Sequence, residues 1–196
     1  MKILLISDEE DPYFWDYYRP GMLKEYDLIL AAGDLKANYL EFLVTMANRP
    51  LIYVHGNHDV RYESQPPEGC DCADDKLIVC KGLRILGLGG CMMYNGQGYQ
   101  YTEKQMARRI RQCRRAIRRA GGVDIILAHA PPRGLGDGED LCHRGLECFR
   151  ELIEEYRPRY FIHGHQHLNY KTASQRVRQH GDTTLINACG RYVLEL

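Results

Sequence analysis

Leu51-Ile52-Tyr53-Val54-His55-Gly56-Asn57-His58-Asp59 is the stretch that decides how this chain is read. Residues 51–54 form an apolar run of strand length. At its end the chain sets Asn57, His58 and Asp59 side by side behind Gly56, which permits a tight turn. Such a polar cluster is poor core material, but it suits the carboxyl edge of an open α/β sheet, where ligands are held. Other apolar runs end the same way, at Ser7-Asp8-Glu9-Glu10, Gly33-Asp34 and Gly164-His165-Gln166-His167. A fifth, ending His129-Ala130-Pro131-Pro132, adds one more imidazole.

Working outward, apolar runs at residues 3–6 and 28–32 alternate with helical patterns at 13–26 and 39–47 before the run at 51–54. This β-α-β-α-β order implies parallel strands with right-handed crossovers. Pro20-Gly21 interrupts the first helical pattern, which predicts a loop followed by a short helix. The aromatics Tyr13, Phe14, Trp15, Tyr17 and Tyr18 read most simply as packing, with a wall for an apolar part of a substrate as the alternative. Residues 60–76 read as a loop beside the site, and residues 76–80 and 84–87 as a hairpin that opens a second sheet. Thr102 and Gln105 form a capping box for a helix over residues 102–120, with Met106, Ile110, Cys113 and Ile117 on one apolar stripe. A strand at 124–129 and a helix at 145–156 follow, and residues 159–163, 169–173, 183–187 and 191–196 read as strands of a sheet.

Composition narrows the class. A chain of 196 residues without a linker-like segment is expected to form one domain spanning residues 1–196. The 26 basic residues balance 26 acidic ones, so no global field calls for nucleic acid or an anionic membrane. The basic face of the 102–120 helix is read as solvated, leaving a nucleic-acid partner open but not favoured. The apolar start meets acids within a few residues, unlike a secretory signal, and a cytoplasmic location is expected. Eight cysteines are then expected to be reduced. Cys80, Cys91, Cys113 and Cys189 read as small core residues. Cys70 and Cys72 would hold zinc with Cys142 and Cys148 only if distant loops converged.

Gathered from the five strand ends, the candidate ligands are Asp8, Glu10, Asp34, Asn57, His129, His165 and His167. This mixed N/O set suits manganese, iron or zinc and exceeds what one ion needs. Two ions about 3.5–4 Å apart, bridged by a carboxylate, would use all of it. Satisfied core histidines and turn-forming Asp and Asn are the plainer account of each residue alone. All five sitting at strand ends weighs against that account.

In this order, Asp8-x-Glu10, Gly33-Asp34, Gly56-Asn57-His58-Asp59, His129 and Gly164-His165-x-His167 resemble the calcineurin-like metallophosphoesterase superfamily, in particular its small single-domain phosphodiesterase-type members. The resemblance implies an α/β fold, a four-layer α-β-β-α sandwich of two mixed sheets. It implies a metal-dependent phosphohydrolase acting on a small phosphorylated substrate, most simply a phosphodiester. One divalent ion would sit on Asp8, residue 10, Asp34 and His167. The other would sit on Asp34, Asn57, His129 and His165, with a bridging hydroxide attacking phosphorus in line. His58 would act as general acid, with Asp59 beside it as orienter.

The chain departs from the family at Glu10, where the pattern has His. Two divalent ions against Asp8, Glu10 and Asp34 leave a net of about +1 rather than about +2, which raises the pKa of a bridging water. The added carboxylate also tilts that position toward manganese or magnesium. Arg61, Arg133 and His143 are candidates to hold a non-bridging phosphate oxygen. The competing expectation is a non-catalytic scaffold on the same fold, its metal site impaired by Glu10.

Overall fold

In the computed structural model, which describes residues 1–167 and 176–196, the apolar runs assemble into two mixed sheets. The first contains β1 (Lys2–Ser7), β2 (Leu28–Ala31), β3 (Leu51–Tyr53) and β4 (Asp71–Cys72), parallel in that order. The second is built from β5 (Leu77–Cys80), β6 (Leu83–Leu88), β9 (Ile125–Ala128), β10 (Tyr160–His163), β11 (Val177–His180) and β12 (Thr183–Asn187). Its order is β11-β12-β10-β9-β6-β5, with antiparallel strands only at the edges. Between β6 and β9 in the chain, β7 (Cys91–Met92) and β8 (Gln100–Tyr101) form a small parallel pair. The last strand, β13 (Gly190–Glu195), leaves the second sheet and pairs antiparallel with β1 at the edge of the first.

The layers follow from which faces are apolar. Ile3, Leu5, Leu30 and Ile52 of the first sheet meet Ile85, Ile125, Leu127 and Ile162 of the second in one buried cluster. The near-continuous apolar strands are those of parallel sheets covered on both faces. On the outer face of the first sheet, Leu4, Ile6 and Ile29 are covered by α1 (Ala37–Ala47) and by residues 13–26. On the outer face of the second, Leu86, Ile126 and Phe161 are covered by α2 (Glu103–Ala120) and α3 (Glu147–Tyr156). The result is the α-β-β-α arrangement.

Several sequence expectations need correction or placing. Residues 13–26 form turns without a helix, because Phe14 and Leu23 are each buried from irregular backbone and Trp15 and Tyr18 stack edge-on against Phe42 of α1. The final strand belongs to the first sheet, since its register with β1 covers all of residues 190–195. The strand expected at 169–173 lies outside the described residues, and the strand preceding β12 begins at Val177. Cys70 and Cys72 do not meet Cys142 or Cys148: Cys148 is buried on the inner face of α3, and the other three are half-buried, Cys70 and Cys72 in the cluster on the outer face of the first sheet. Among the described residues no helix is long and apolar enough to cross a membrane.

The capping box is formed in full. Gln105 N–H donates to Thr102 Oγ1 at 3.3 Å, and Thr102 N–H donates to Gln105 Oε1 at 2.8 Å. At the other end Gly121 closes the helix in the left-handed conformation. Thr102→Ala is expected to lower unfolding stability by about 1 kcal/mol. Denaturant titration checks this, with an unchanged midpoint counting against the cap.

Candidate metal centre

The site is built by turns that touch one another. A Cβ on Gly56 would overlap the Asp34 carboxylate, and one on Gly164 would overlap Ser7 Oγ. Only glycine lets the β3 turn close on the β2 turn, and the β10 turn close on β1. Asp8, Asp34 and His165 carry positive φ, at 62°, 56° and 65°. Non-glycine residues in this region cost about 1–3 kcal/mol each and persist where the surroundings dictate them. The strain falls on three candidate ligands, each the turn residue that aims its side chain off a strand end.

Asp34, His129 and His165 bring ligand atoms within 4.8 Å of one another. His129 is fully buried, and its Nδ1 donates to the Ala32 carbonyl at 2.7 Å. That bond aims Nε2 at Asn57 Oδ1, 3.0 Å away, and Asp34 Oδ2, 3.3 Å away. Asn57 is held in this sense because its Nδ2 donates to the Tyr94 hydroxyl at 3.3 Å. His165 Nε2 donates to the Cys142 carbonyl at 2.6 Å, which leaves the Nδ1 lone pair for a cation. Anchoring of the far ring nitrogen by a carbonyl is the usual way a ligating histidine is fixed. Asp8 lies alongside, both of its oxygens accepting from His165 N–H at 3.1 and 3.0 Å and one accepting from Ser7 Oγ at 2.6 Å.

The buried groups of this site shift one another's protonation. Burial alone would push His129 down, but the carboxylates of Asp34 and Asp8 overcome it and raise it to about 9. Burial opposes ionisation of Asp34, yet His129 and the His58 amide hold it at about 2. Asp8 is raised by its burial. His165 is pushed down to about 3 by burial and by charged His129, so it stands neutral and ready to ligate. The donor set, Asp34, His129 and His165 with Asn57 and Asp8 alongside, fits a divalent ion, which would displace the His129 proton.

The remaining candidates lie around this group. Glu10 Oε1 is 3.3 Å from Lys36 Nζ, and His167 Nδ1 is 3.3 Å from Glu9 Oε1, so both are engaged with neighbours at the rim. His58 is exposed, its N–H donating to Asp34 Oδ1 at 2.8 Å. Asp59 is buried, and a single carboxylate oxygen accepts the amides of Gly56 (2.7 Å) and Asp34 (2.9 Å), clamping two ligand-bearing turns together. Arg133 pairs with Asp137 at 2.7 Å and Glu139 at 3.3 Å, within its own loop. The His143 ring stands 5.5 Å from that of His165, and Arg61 lines the adjoining cleft. Ser7, Lys36 and Tyr94 are contributors that the sequence reading does not assign to the site. Ser7 and Lys36 sit within two residues of Asp8 and Asp34, a usable signal; Tyr94, 37 positions from Asn57, gives none.

Asp59 supplies a test. Burial raises it to about 6, above the roughly 3.9 of an unfolded carboxyl, so the folded state binds its proton more tightly. Charged Asp59 therefore lowers stability above about pH 6, and the penalty fades as pH falls through 6 toward 4. In metal-free protein, Asp59→Asn keeps an oxygen for both amides and is expected to be more stable than wild type at pH 8, with a weaker dependence between pH 4 and about 6. Denaturant titrations across that range check it, and parallel pH profiles would contradict it.

Comparisons with known proteins agree with this architecture. A solved crystal structure superposes with a TM-score of 0.71 at 15% identity, covering 98% of this chain and 94% of that one. The crystal structure of TT1561 of Thermus thermophilus superposes with a TM-score of 0.65 at 17% identity, covering 96% and 89%. At these identities the likeness is one of fold. Over 70 residues the chain is 34% identical to the UPF0046 protein T07D4.2 of Caenorhabditis elegans, a match covering 35% of this chain and 16% of that protein. The matched stretch is thus about a sixth of that relative's length. The family model for calcineurin-like phosphoesterases matches residues 1–169, and the chain belongs to that family.

Proposed function

We propose that this protein is a metal-dependent phosphodiesterase that uses a dinuclear centre, with manganese as the best-suited ion. The observation that carries the reading is the convergence of Asp34, His129 and His165, with Asn57 beside them, next to a cleft of about 990 Å³ that Asp34, Asp8 and Glu10 line. Asp34, Asn57, His129 and His165 would hold one ion; Asp8, Asp34, Glu10 and His167 would hold the other, with Glu10 turning from Lys36. Bound divalent ions supply Lewis-acid stabilisation of the phosphoryl oxygens and a water acidic enough to give hydroxide near neutral pH.

The chain's own residues do the rest. His58 stands at the cleft wall, where its imidazole donates a proton to the departing ester oxygen. Its backbone is fixed by Asp34, and the turn it sits on is fixed by Asp59. Arg61 and Lys36 face the same cleft and meet non-bridging oxygens. Glu10, Glu41 and Glu68 also line it, which disfavours a doubly charged monoester relative to a singly charged diester. The Glu10–Lys36 pair supports the competing reading, a scaffold whose first ion position is compromised.

Hydrolysis of bis(4-nitrophenyl) phosphate with added manganese separates the two. Turnover is expected in wild type, with kcat down about 10²–10⁴-fold in His58→Ala and manganese binding retained. Glu10→His is expected to raise activity at neutral pH and move the optimum down, by restoring positive charge to the centre. No manganese-dependent turnover in wild type at any pH from about 6 to about 9 would overturn the enzyme reading.

A further inference from the structure

Away from the centre, an imidazole, a thiol and a carboxylate meet at a second point. His55 Nδ1 lies 2.7 Å from Asp74 Oδ2 and 3.9 Å from Cys72 Sγ, and the three ligand atoms fall within 4.8 Å of one another. They come from two segments: His55 follows β3, and Cys72 and Asp74 lie two residues apart where the chain leaves β4. The surrounding backbone is fixed. Asp74 Oδ1 accepts from Gly89 N–H at 2.7 Å, and Gly90 N–H donates to the His55 carbonyl at 2.7 Å. The His55 ring lies 4.5 Å from the ring of Tyr99 and edge-on to those of Tyr53 and Tyr62. The side chains of His55 and Asp74 are 14% and 16% exposed, enough for an ion to enter from solvent.

The spacing is close to what a tetrahedral ion needs. Bonds of about 2.3 Å to sulfur and about 2.0–2.2 Å to nitrogen and oxygen put ligand nitrogen and oxygen about 3.3 Å apart, and nitrogen and sulfur about 3.6 Å apart. From 2.7 and 3.9 Å this asks for movements of about half an ångström, with the Nδ1 proton and the thiol proton displaced by the ion. Among the described residues two other groups contain a thiol, Asp140–Cys142–His143 and Glu9–His167–Cys189. The first is confined to one loop, and the second depends on Glu9 and His167 side chains that are each 60% exposed. The His55 group alone of the three combines half-buried side chains with hydrogen-bonded anchors on two segments.

We infer that His55, Cys72 and Asp74 form a separate site for a borderline-soft divalent ion of the zinc type, behind the Gly56–Asp59 turn. A sulfur, a nitrogen and an oxygen donor select zinc over manganese or magnesium, and the open fourth position takes water. The site is chemically distinct from the candidate centre, whose ligands include no sulfur. It does not depend on the hydrolytic reading.

The test is a cobalt(II) titration of the chelator-stripped full chain, followed by absorption. Cobalt bound at the nitrogen and oxygen ligands of the centre gives no sulfur-to-metal charge-transfer band; cobalt at the proposed site does. The band is expected in wild type, is displaced by zinc, survives Cys142→Ala and Cys189→Ala, and is lost in Cys72→Ser. Absence of the band in wild type, or its survival in Cys72→Ser, would overturn the inference. X-ray absorption on zinc-loaded wild-type and Cys142→Ala protein gives a check that needs no variant at the site, expecting a sulfur neighbour at about 2.3 Å in both. A shell of nitrogen and oxygen alone would overturn it equally.

Discussion

The close approach of four strand-end turns is the constraint on which the rest of the molecule depends. The β2 and β3 turns meet where Gly56 leaves room for the Asp34 carboxylate, and Asp59 ties their amides to one oxygen. The β10 turn meets β1 where Gly164 leaves room for Ser7 and Asp8. From the second sheet, β9 delivers His129 through the gap to the Ala32 carbonyl, joining the two sheets at their carboxyl edges. Without these contacts the ligand-bearing residues would belong to separate loops. With them, residues as far apart as Asp8 and His165, 157 positions, share hydrogen bonds.

That convergence concentrates charge where there is little water. A fully buried imidazole is held near 9 by two carboxylates, beside a second imidazole that burial and its charged neighbour hold near 3. Burying charges is costly even when they are paired, as His129 is with Asp34. The positive φ values at Asp8, Asp34 and His165 add backbone strain at the same place. Such strain collects at sites where ligand geometry matters more than stability.

Much of this was legible in the sequence because the signals are local. Thr102 and Gln105 announce the start of α2, and Lys81-Gly82, both with positive φ, sit at the tight hairpin turn between β5 and β6. The glycines before Asp34, Asn57 and His165 were readable as turn formers. That Gly56 and Gly164 exist to admit another turn's side chain was not, because the partner lies elsewhere in the chain. The same limit hid the Asp59 clamp, the Tyr94 hydroxyl on Asn57, and the pairing of Glu10 with Lys36. Residues 13–26 misled for the opposite reason: their apolar spacing fits a helix, but Phe14 and Leu23 reach the sheet from turns. For β13, the alternation reads as a strand, and only the edge left open beside β1 decides which sheet receives it.

The account's central claim is that these turns assemble a divalent-cation site around Asp34. Calorimetric titration of manganese into chelator-stripped protein tests it most directly. Saturable binding is expected in wild type, with binding lost in Asp34→Asn and His129→Gln while both variants keep the wild-type circular dichroism spectrum. No saturable binding in wild type, or undiminished binding in Asp34→Asn, would contradict it.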